Sequence, residues 1–278
     1  MAVAAQLHSD AEPRRILRLG SLAGTIDDWA QSFAAAPPGL LGQRELQKRL
    51  DIKFVLPAAV LPLLFRRLPE TYVALTVPSG NVALYQSQYF DTESLQCFHD
   101  HRRGKRLRYK VRIRHYPDRE LSFVEVKAKR NSVVTAKFRR AIPYGQRALT
   151  PADVAFVEAQ TTMVQPFEHV VDNEFSRLTL LSTKAEERVT IDFAISLRTT
   201  PWVGARFGHT PEVDFSRLAV VEVKQGHHMH SDILDALRGA HVREASFSKY
   251  TIGLAMALPS LRQNRLRPNV RAIAKRIP

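Results

Sequence analysis

Apolar and charged positions alternate strictly in one stretch near the middle of the chain, residues 105–129. Its first half places cations on every second position, namely Arg108, Lys110, Arg112 and Arg114. Successive side chains of a strand point to opposite sides of the sheet, so this spacing predicts a strand with one cationic face. After a turn at Pro117 the alternation returns in residues 121–129, with Glu125 and Lys127 among its charged positions, which predicts a hairpin.

The same alternation recurs in segments on both sides of the hairpin. Their charged members are Asp51, Lys53, Lys137, Arg139, Arg177, Arg188, Asp192, Glu222 and Lys224. Like charges in a row repel, so a sheet gains no stability by collecting them on one face. An ordinary wet face mixes Thr, Ser, Gln and charges of both signs, whereas lysine and arginine dominate here. If these strands curl into a barrel, their charges line its interior while the apolar sides pack under helices.

Helices are expected from proline positions, capping residues and apolar spacing. The expected helical segments are 14–19, 27–33, 57–68, 150–170 and 232–250. Thr150 suits the N-cap of the fourth, and Lys249 stands at the end of the last. Residues 93–104 are interpreted as a polar turn, and the Ala-Pro-Gly run at 34–39 as a linker. We divide the chain into an N-terminal extension and linker (1–43), a main domain (44–258) and a basic C-terminal tail (259–278).

Composition narrows the choice of partners. The 278 residues carry a formal net charge of +14, and 45% of them are hydrophobic, enough for a substantial core. This charge suggests a polyanionic partner but does not select among nucleic acid, phosphate compounds and anionic membranes. The single cysteine, Cys97, excludes an internal disulfide and fits a reducing, cytoplasmic location. We find no targeting signal and expect no membrane segment, because the longest apolar stretch, residues 54–65, is short and contains prolines.

The kinds of charged group favour phosphate over nucleic acid. Arginine forks and lysines bind phosphate oxygens, and carboxylates hold Mg²⁺ or Mn²⁺ against the same phosphates. Nucleic-acid binding would need aromatic side chains between the cations, whereas those positions are mostly Val, Ile and Leu, so we expect no nucleic-acid partner. The histidines at 99–101 and 227–230 are interpreted as surface residues rather than metal sites. The basic tail is interpreted as solvated or as a contact for an anionic partner.

Eight short motifs occur in an order that resembles the VTC domain. They are Arg-x-Asp-x-Lys-Phe at 49–54, Tyr-Phe-Asp-Thr at 89–92, Lys-Val-Arg-Ile-Arg at 110–114, Glu-Val-Lys at 125–127, Lys-x-Arg at 137–139, Arg-Val-Thr-Ile-Asp at 188–192, Glu-Val-Lys at 222–224 and Ser-Lys-Tyr at 248–250. The VTC domain belongs to the triphosphate tunnel metalloenzymes, and its best-known members are polyphosphate polymerases. The resemblance covers residues 44–255. Two positions depart from the family pattern, because Asp51 stands where glutamate is common and Phe175 where tyrosine is expected.

The resemblance implies an α+β fold, an antiparallel β tunnel barrel with a charged interior that is covered by helices. Basic residues inside this tunnel are implied to bind a triphosphate. The residues implied to contact phosphate are Lys53, Arg112, Arg114, Lys127, Lys137, Arg177, Arg188 and Lys249, with Arg139, Lys110 and Lys224 as further ligand-binding cations. Glu222 is implied to hold Mn²⁺ or Mg²⁺, and Glu125 and Asp51 are assisting carboxylates. The implied partners are ATP or another triphosphate and a polyphosphate chain.

The expected function is that of a metal-dependent polyphosphate polymerase, which transfers the γ-phosphate of ATP to a growing chain inside the tunnel. Two alternatives stay open. With water as the acceptor, the same cations and metal would make a triphosphatase. Without chemistry, the domain would be a polyanion- or nucleic-acid-binding module, although the presence of Glu222 argues against that reading.

Overall fold

Ten strands form one antiparallel sheet in the computed structural model, which describes residues 22–43, 50–130, 135–208, 212–226 and 230–276. The strands are β1 (Leu50–Pro57), β2 (Tyr72–Ala74), β3 (Val82–Asp91), β4 (Arg108–Tyr116), β5 (Leu121–Lys129), β6 (Thr135–Ile142), β7 (Glu168–Ser182), β8 (Glu187–Thr199), β9 (Glu212–Phe215) and β10 (Leu218–Gln225). The main path runs β1-β10-β8-β7-β3-β4-β5-β6, with β2 beside β7 and β9 beside β8. Among the described strands β1 and β6 end this path, so the sheet is curled but not closed.

Helices cover the sheet, which confirms the predicted fold class. They are α1 (Leu22–Gln31), α2 (Leu40–Gln43), α3 (Leu61–Leu64), α4 (Gln96–Arg103), α5 (Pro151–Gln160), α6 (Pro201–Phe207), α7 (Asp232–Gly239), α8 (Lys249–Ala257) and α9 (Arg267–Ala274). The predicted hairpin is formed by β4 and β5, which pair from Arg108 opposite Lys129 to Tyr116 opposite Leu121. None of the helices in these ranges has the length and apolar character needed to cross a membrane.

The apolar positions of the alternating segments form the convex side of the sheet. One core joins β8 and β10 to α1, α3 and α7, and a second joins β4 and β5 to α4 and α5. Their strand members include Val189, Ile191, Val221, Val223, Val111, Ile113, Val124 and Val126, all fully buried. Each such side chain stabilises the fold by roughly 1.5–3 kcal/mol through burial. Because side chains alternate, this burial directs the intervening charged residues to the concave side.

Helix α8 fills one end of the concave side. Tyr250, Ile252 and Leu254 pack there against Val171 and Val220 in a third core. The prediction of one helix over 232–250 is wrong, because α7 ends at Gly239 and an extended segment follows before α8 begins at Lys249. Lys249 therefore begins a helix instead of ending one, and it enters the concave space at the tip of α8.

Other helix predictions also need correction. The segment 57–68 is broken into short 3₁₀ turns and the four-residue α3, since prolines interrupt it. The helix predicted over 150–170 is α5, which ends at Gln160 because β7 has begun by Glu168. Its N-cap is Thr150 as predicted, within a capping box formed with Asp153. Residues 93–104 contain α4 and are not merely a polar turn.

The described part of the predicted N-terminal extension belongs to the convex core. Ile26, Trp29 and Phe33 are buried there, and Trp29 lies 6.3 Å from Phe65, ring centroid to ring centroid. The helix predicted over 27–33 overlaps α1, whereas the one predicted over 14–19 lies outside the described residues. The run predicted as a linker also contacts the sheet, since Ala35 bridges to Ala74 of β2.

Candidate functional site

The charged positions of the alternating strands meet on the concave side of the sheet. Cross-strand neighbours there include Lys53 with Glu222, Arg177 with Asp192, Tyr89 with Arg112, Arg112 with Glu125, and Lys110 with Lys127. We call this concave set the cationic groove. It consists of Lys53, Lys110, Arg112, Arg114, Lys127, Lys137, Arg139, Arg177, Arg188, Lys224 and Lys249, with the carboxylates Asp51, Glu125, Asp192 and Glu222.

Glu222 of β10 lies between two lysines. Lys53 Nζ on β1 is 2.5 Å from Glu222 Oε1, and Lys224 Nζ contacts the same oxygen. Burial raises the pKa of Glu222, but Lys224 and Lys53 outweigh it and hold the pKa well below the usual range. Asp51 lies beside Lys224, with 3.9 Å between the carboxylate oxygen and Nζ. The carboxylate predicted to hold a metal ion is thus ionised and faces two ammonium groups.

Glu125 of β5 has the same arrangement. Arg112 donates to Glu125 Oε2 from Nε at 2.8 Å and from Nη2 at 2.5 Å, while Lys137 Nζ lies 2.5 Å from Oε1. Burial raises the pKa of Glu125, but Arg112, Arg114 and Lys137 outweigh it and hold the pKa far below the usual range. Glu125 therefore joins β4 to the edge strand β6 through its charge.

Asp192 of β8 is the third carboxylate with two cations. Arg177 donates to its two oxygens from Nε at 2.6 Å and Nη2 at 2.8 Å, and Lys249 Nζ contacts Oδ2. Burial raises the pKa of Asp192, but Arg177 and Lys249 hold it well below the usual range. Alternation places Asp192 on the charged strand face, but the family resemblance implied no role for it in the site. The signal that could have found it is its position on the same strand face as Arg188.

Lys110 and Lys127 lie opposite each other in the register of β4 and β5. Lys110 Nζ donates to Ser248 Oγ at 2.7 Å, next to the start of α8. Burial lowers the pKa of Lys110 to about 7, and Lys127, Arg112 and Lys53 add to the shift. Partial desolvation in the groove and the charge of Lys53 also lower the pKa of Lys127. Several cations therefore lie close together in this part of the groove, so an anion bound between them would be stabilised.

Aromatic rings lie beside several of these cations. Arg177 and Arg114 stand over the Tyr85 ring at 4.8 and 5.3 Å, and Lys249 Nζ is 4.0 Å from the Phe175 centroid. Phe175 stacks on Tyr85 with 5.1 Å between centroids. The tyrosine expected at position 175 is therefore replaced by a ring that keeps the stacking and lacks only the hydroxyl. Cation–π contacts hold the guanidinium planes in fixed orientations.

The predicted site residues differ in depth within the groove. Arg114 and Lys224 are buried, whereas Lys137, Lys127 and Arg139 are exposed. Arg139 stands over the Phe123 ring at 5.2 Å, and Arg188 lies opposite Lys224 in the strand register. The strand register places the strand residues implied by the family resemblance on the concave side of the sheet. The exposed cations among them lie on β5 and β6, near one edge of the sheet.

The carboxylates fit a hard divalent cation chemically, because Mg²⁺ and Mn²⁺ prefer oxygen ligands. Glu222 and Asp51 both contact Lys224, whereas Glu125 contacts Arg112 and Lys137 on the other wall. Glu222 with Asp51 is therefore the pair that could hold a metal ion. A divalent ion held there would supply further positive charge beside Lys53 and Lys224.

Tyr89, Tyr250 and Asp91 were not assigned to the site from sequence. The rings of Tyr89 and Tyr250 stack at 5.0 Å, and Arg112 Nη1 donates to the Tyr89 hydroxyl at 3.1 Å. The Tyr250 hydroxyl donates to Asp91, which also accepts the Cys97 and Phe98 amides of α4 at 2.8 and 2.9 Å. Asp91 thereby ties α8, and with it Lys249, to the rest of the groove.

His101 and Cys97 are not members of the cationic groove. His101 Nε2 is 3.1 Å from the Tyr109 carbonyl oxygen, and burial lowers the pKa of His101 to about 2. Burial raises the pKa of Cys97, so its thiol stays protonated in the core. The described ranges contain no group of three or more His, Cys, Asp or Glu that could hold a metal. Residues 227–229 of the second histidine group lie outside the described residues.

Several solved structures are similar to this chain at low sequence identity. An adenylate cyclase candidate from Bacillus halodurans is 11% identical, with 72% of this chain and 94% of that chain covered and a TM-score of 0.45. A protein from Pyrococcus horikoshii OT3 is also 11% identical, over 74% and 99% of the two chains, with a TM-score of 0.40. An adenylyl cyclase candidate from Hippeastrum, with a dominant triphosphatase activity, is 12% identical over 76% and 97%, with a TM-score of 0.42.

The sequence itself matches a protein family over most of its length. No curated protein matches the chain. The family model described as VTC domain matches residues 48–258. This range contains every residue of the cationic groove, from Asp51 on β1 to Lys249 on α8. The chain therefore belongs to the VTC domain family.

Proposed function

We propose that this protein is a polyphosphate polymerase that transfers the γ-phosphate of ATP to the end of a phosphate chain bound in the cationic groove. The observation that carries the proposal is the arrangement of three ionised carboxylates, Glu222, Glu125 and Asp192, each between two cations. These carboxylates hold the cations in place before an anion arrives. A phosphate chain can then accept contacts from both walls with little rearrangement, which lowers the cost of binding.

The reaction requires charge neutralisation and alignment instead of a covalent nucleophile. An oxygen of the terminal phosphate of the chain forms a bond to the γ-phosphorus, and the bond from that phosphorus to the β,γ-bridging oxygen breaks. ADP leaves with the bonding electron pair. Arg112, Arg177 and Lys249 are placed to neutralise charge on the transferring group, because each is half-buried and is held by a carboxylate of the groove.

A divalent ion held by Glu222 and Asp51 would supply further charge neutralisation at the phosphates. Arg114 is held by its own contacts, since its Nε donates to Ser87 Oγ at 3.1 Å and its guanidinium stands over Tyr85. Such fixed donors need little reorganisation when the phosphoryl group moves, so they favour the transition state.

The test is to incubate the purified protein with ATP and Mn²⁺ or Mg²⁺ and to follow both products. The polymerase predicts ADP and long phosphate chains in matching amounts. ADP with free orthophosphate would instead identify a triphosphatase, and unchanged ATP would leave only a binding module. Either of these results would contradict the proposal.

The variant Glu222→Gln tests the role of Glu222 in the same assay. We expect a loss of turnover of about 100-fold, because the substitution removes the metal carboxylate and the partner of Lys53 and Lys224. Glu174→Gln is the matched control, since Glu174 lies outside the groove and bonds to Gln86 Nε2 at 2.8 Å. A Glu222→Gln variant as active as the Glu174→Gln control would refute the assigned role of Glu222.

A further inference from the structure

A second group of cations lies outside the groove, where α4 ends and β4 begins. We call Arg102, Arg103, Lys105, Arg106, Arg262 and Arg265 the outer basic surface. Two distant segments of the chain form it, and they are joined directly because Arg265 Nη1 donates to the Arg103 carbonyl oxygen at 2.5 Å. Burial lowers the pKa of Arg102, and the charges of Arg103 and Arg262 add to the shift.

The charges of this surface are poorly balanced. Asp100 lies 2.8 Å from Lys105 Nζ, whereas the contact between Arg265 and Arg103 uses a backbone carbonyl that carries no full charge. Arg103, Lys105, Arg106, Arg262 and Arg265 are all exposed. Clustered cations repel one another, so the fold keeps this group at a cost in stability that a bound anion would relieve.

Unpartnered nitrogens provide a second and independent observation. Arg102 is only 8% exposed, and its Nε has no hydrogen-bond partner among the described residues. Nε of Arg108, on a half-buried side chain of the same stretch, also lacks a partner there. Buried donors are almost always satisfied in folded proteins, so two such guanidinium nitrogens beside clustered cations indicate a ligand that completes the site.

The outer basic surface is continuous with the groove. Arg108 Nη1 donates to the Lys105 carbonyl oxygen at 2.6 Å, and Arg108 occupies the next position in the row that includes Lys110 and Arg112. Alternate residues of a strand are about 6.8 Å apart, so the row carries cations from the middle of the groove to this surface without a gap. A linear anion that fills the groove can therefore extend onto it.

We propose that the outer basic surface binds the part of a polyphosphate chain that extends beyond the groove. The inference rests on the proposed function, because it takes the groove as the site of the chain end. The residues between the cations include Gly104, Leu107, Gln263 and Leu266, and none of them is aromatic. Stacking on bases is therefore absent here, which favours a plain phosphate chain over nucleic acid.

The test compares a short and a long anion on the same variant. Tripolyphosphate has only three phosphate units and is expected to occupy the groove alone, whereas long-chain polyphosphate is expected to reach both sites. We expect Arg103→Gln/Arg265→Gln to bind tripolyphosphate as the wild type does. Its affinity for long-chain polyphosphate should fall roughly tenfold, with a salt dependence shallower by about two units in log–log slope, measured by titration calorimetry without ATP.

The matched control is Arg66→Gln/Arg67→Gln, which removes the same charge from exposed arginines next to the buried Phe65 of the convex core. It should bind both anions like the wild type. Equal losses in the two double variants, or an equal loss of tripolyphosphate affinity in the first, would overturn the proposal. So would a loss confined to single-stranded DNA or to vesicles of anionic lipid. A wild type that makes no polymer but shows the expected binding difference would contradict only the polymerase.

Discussion

At the scale of single residues, the groove is a set of charges that are mostly paired before any ligand binds. Lys224 illustrates the balance, because burial lowers its pKa to about 8 while Glu222 and Asp51 oppose the shift. Lys110 has Ser248 as its hydrogen-bond partner and neighbours of its own sign, so its pKa falls further, to about 7. A phosphate ligand would restore the protonated form of both lysines.

Binding of tripolyphosphate should therefore take up protons at pH 8. Lys110 is mostly neutral there in the free protein and charged in the complex, so affinity falls as pH rises from 7 to 9. Calorimetry in buffers of different ionisation enthalpy measures the uptake. Lys110→Met should reduce it, whereas Lys184→Met, at an exposed position, should not. Equal uptake in these two variants would contradict the role given to Lys110.

The lowered pKa of Lys110 has an opposite consequence for the free protein. Between pH 7 and the ordinary lysine pKa, the unfolded chain binds more protons than the folded one. Through this group, the free energy of unfolding rises with pH across that range, while the affinity for phosphate falls. These opposite trends are those expected of a lysine that contributes to phosphate binding and not to the stability of the free protein.

At the scale of elements, α8 fixes one end of the groove. It begins at Lys249, is capped by Ser248, and is anchored through the Tyr250 hydroxyl on the buried carboxylate of Asp91. Asp91 also holds the first turn of α4 through backbone amides, so two helices depend on one side chain. The contact between the Tyr250 hydroxyl and Asp91 therefore helps to fix the position of Lys249 in the groove.

Tyr250→Phe should weaken this anchor. We expect the free energy of unfolding to fall by about 1–3 kcal/mol, because Asp91 loses a donor in a buried position. Tripolyphosphate affinity should fall several-fold as Lys249 loses its fixed position. Urea denaturation and calorimetry measure the two effects.

Tyr109→Phe provides the control for Tyr250→Phe. Its hydroxyl makes only a 3.3 Å contact with Thr162 Oγ1, and its ring lies in the core under α4 and α5. We expect a smaller loss of stability and no change in affinity. If both tyrosine variants bind tripolyphosphate like the wild type, α8 does not position Lys249 for phosphate.

At the scale of the whole molecule, the curled sheet separates an apolar core on its convex side from a charged groove on its concave side. Its convex side is buried under helices, and its concave side collects cations that repel one another. An anion in the groove should therefore stabilise the entire fold. At 100 times its dissociation constant, tripolyphosphate is expected to raise the free energy of unfolding by about 2.7 kcal/mol.

This gain corresponds to a rise in Tm of about 5 °C for a chain of this size. Thermal unfolding followed by circular dichroism measures it, with sodium sulfate at equal ionic strength as the control. Sulfate should produce a much smaller shift, because it cannot reach both walls of the groove. Equal shifts with the two anions would show general charge screening and no specific site.

The sequence determined the strands and the direction in which their charged residues point. The rows on β4 and β5 could be read from residues 105–129 alone, because a period of two is a local property of the chain. Thr150 was recognisable as an N-cap for the same reason, since a cap and its helix are adjacent in sequence. The family motifs added which of these charges belong to one site.

Only the tertiary structure decided which charges meet. Arg177 and Asp192 are neighbours across two strands, and Lys249 joins them from a helix more than fifty residues away, so no local pattern contains that contact. The break between α7 and α8 also depended on Phe54, whose bridge to Glu244 holds the intervening segment extended. Alternation fixed the side of the sheet on which each charge lies, whereas the curl of the sheet, a property of all its strands, brought those charges around one groove.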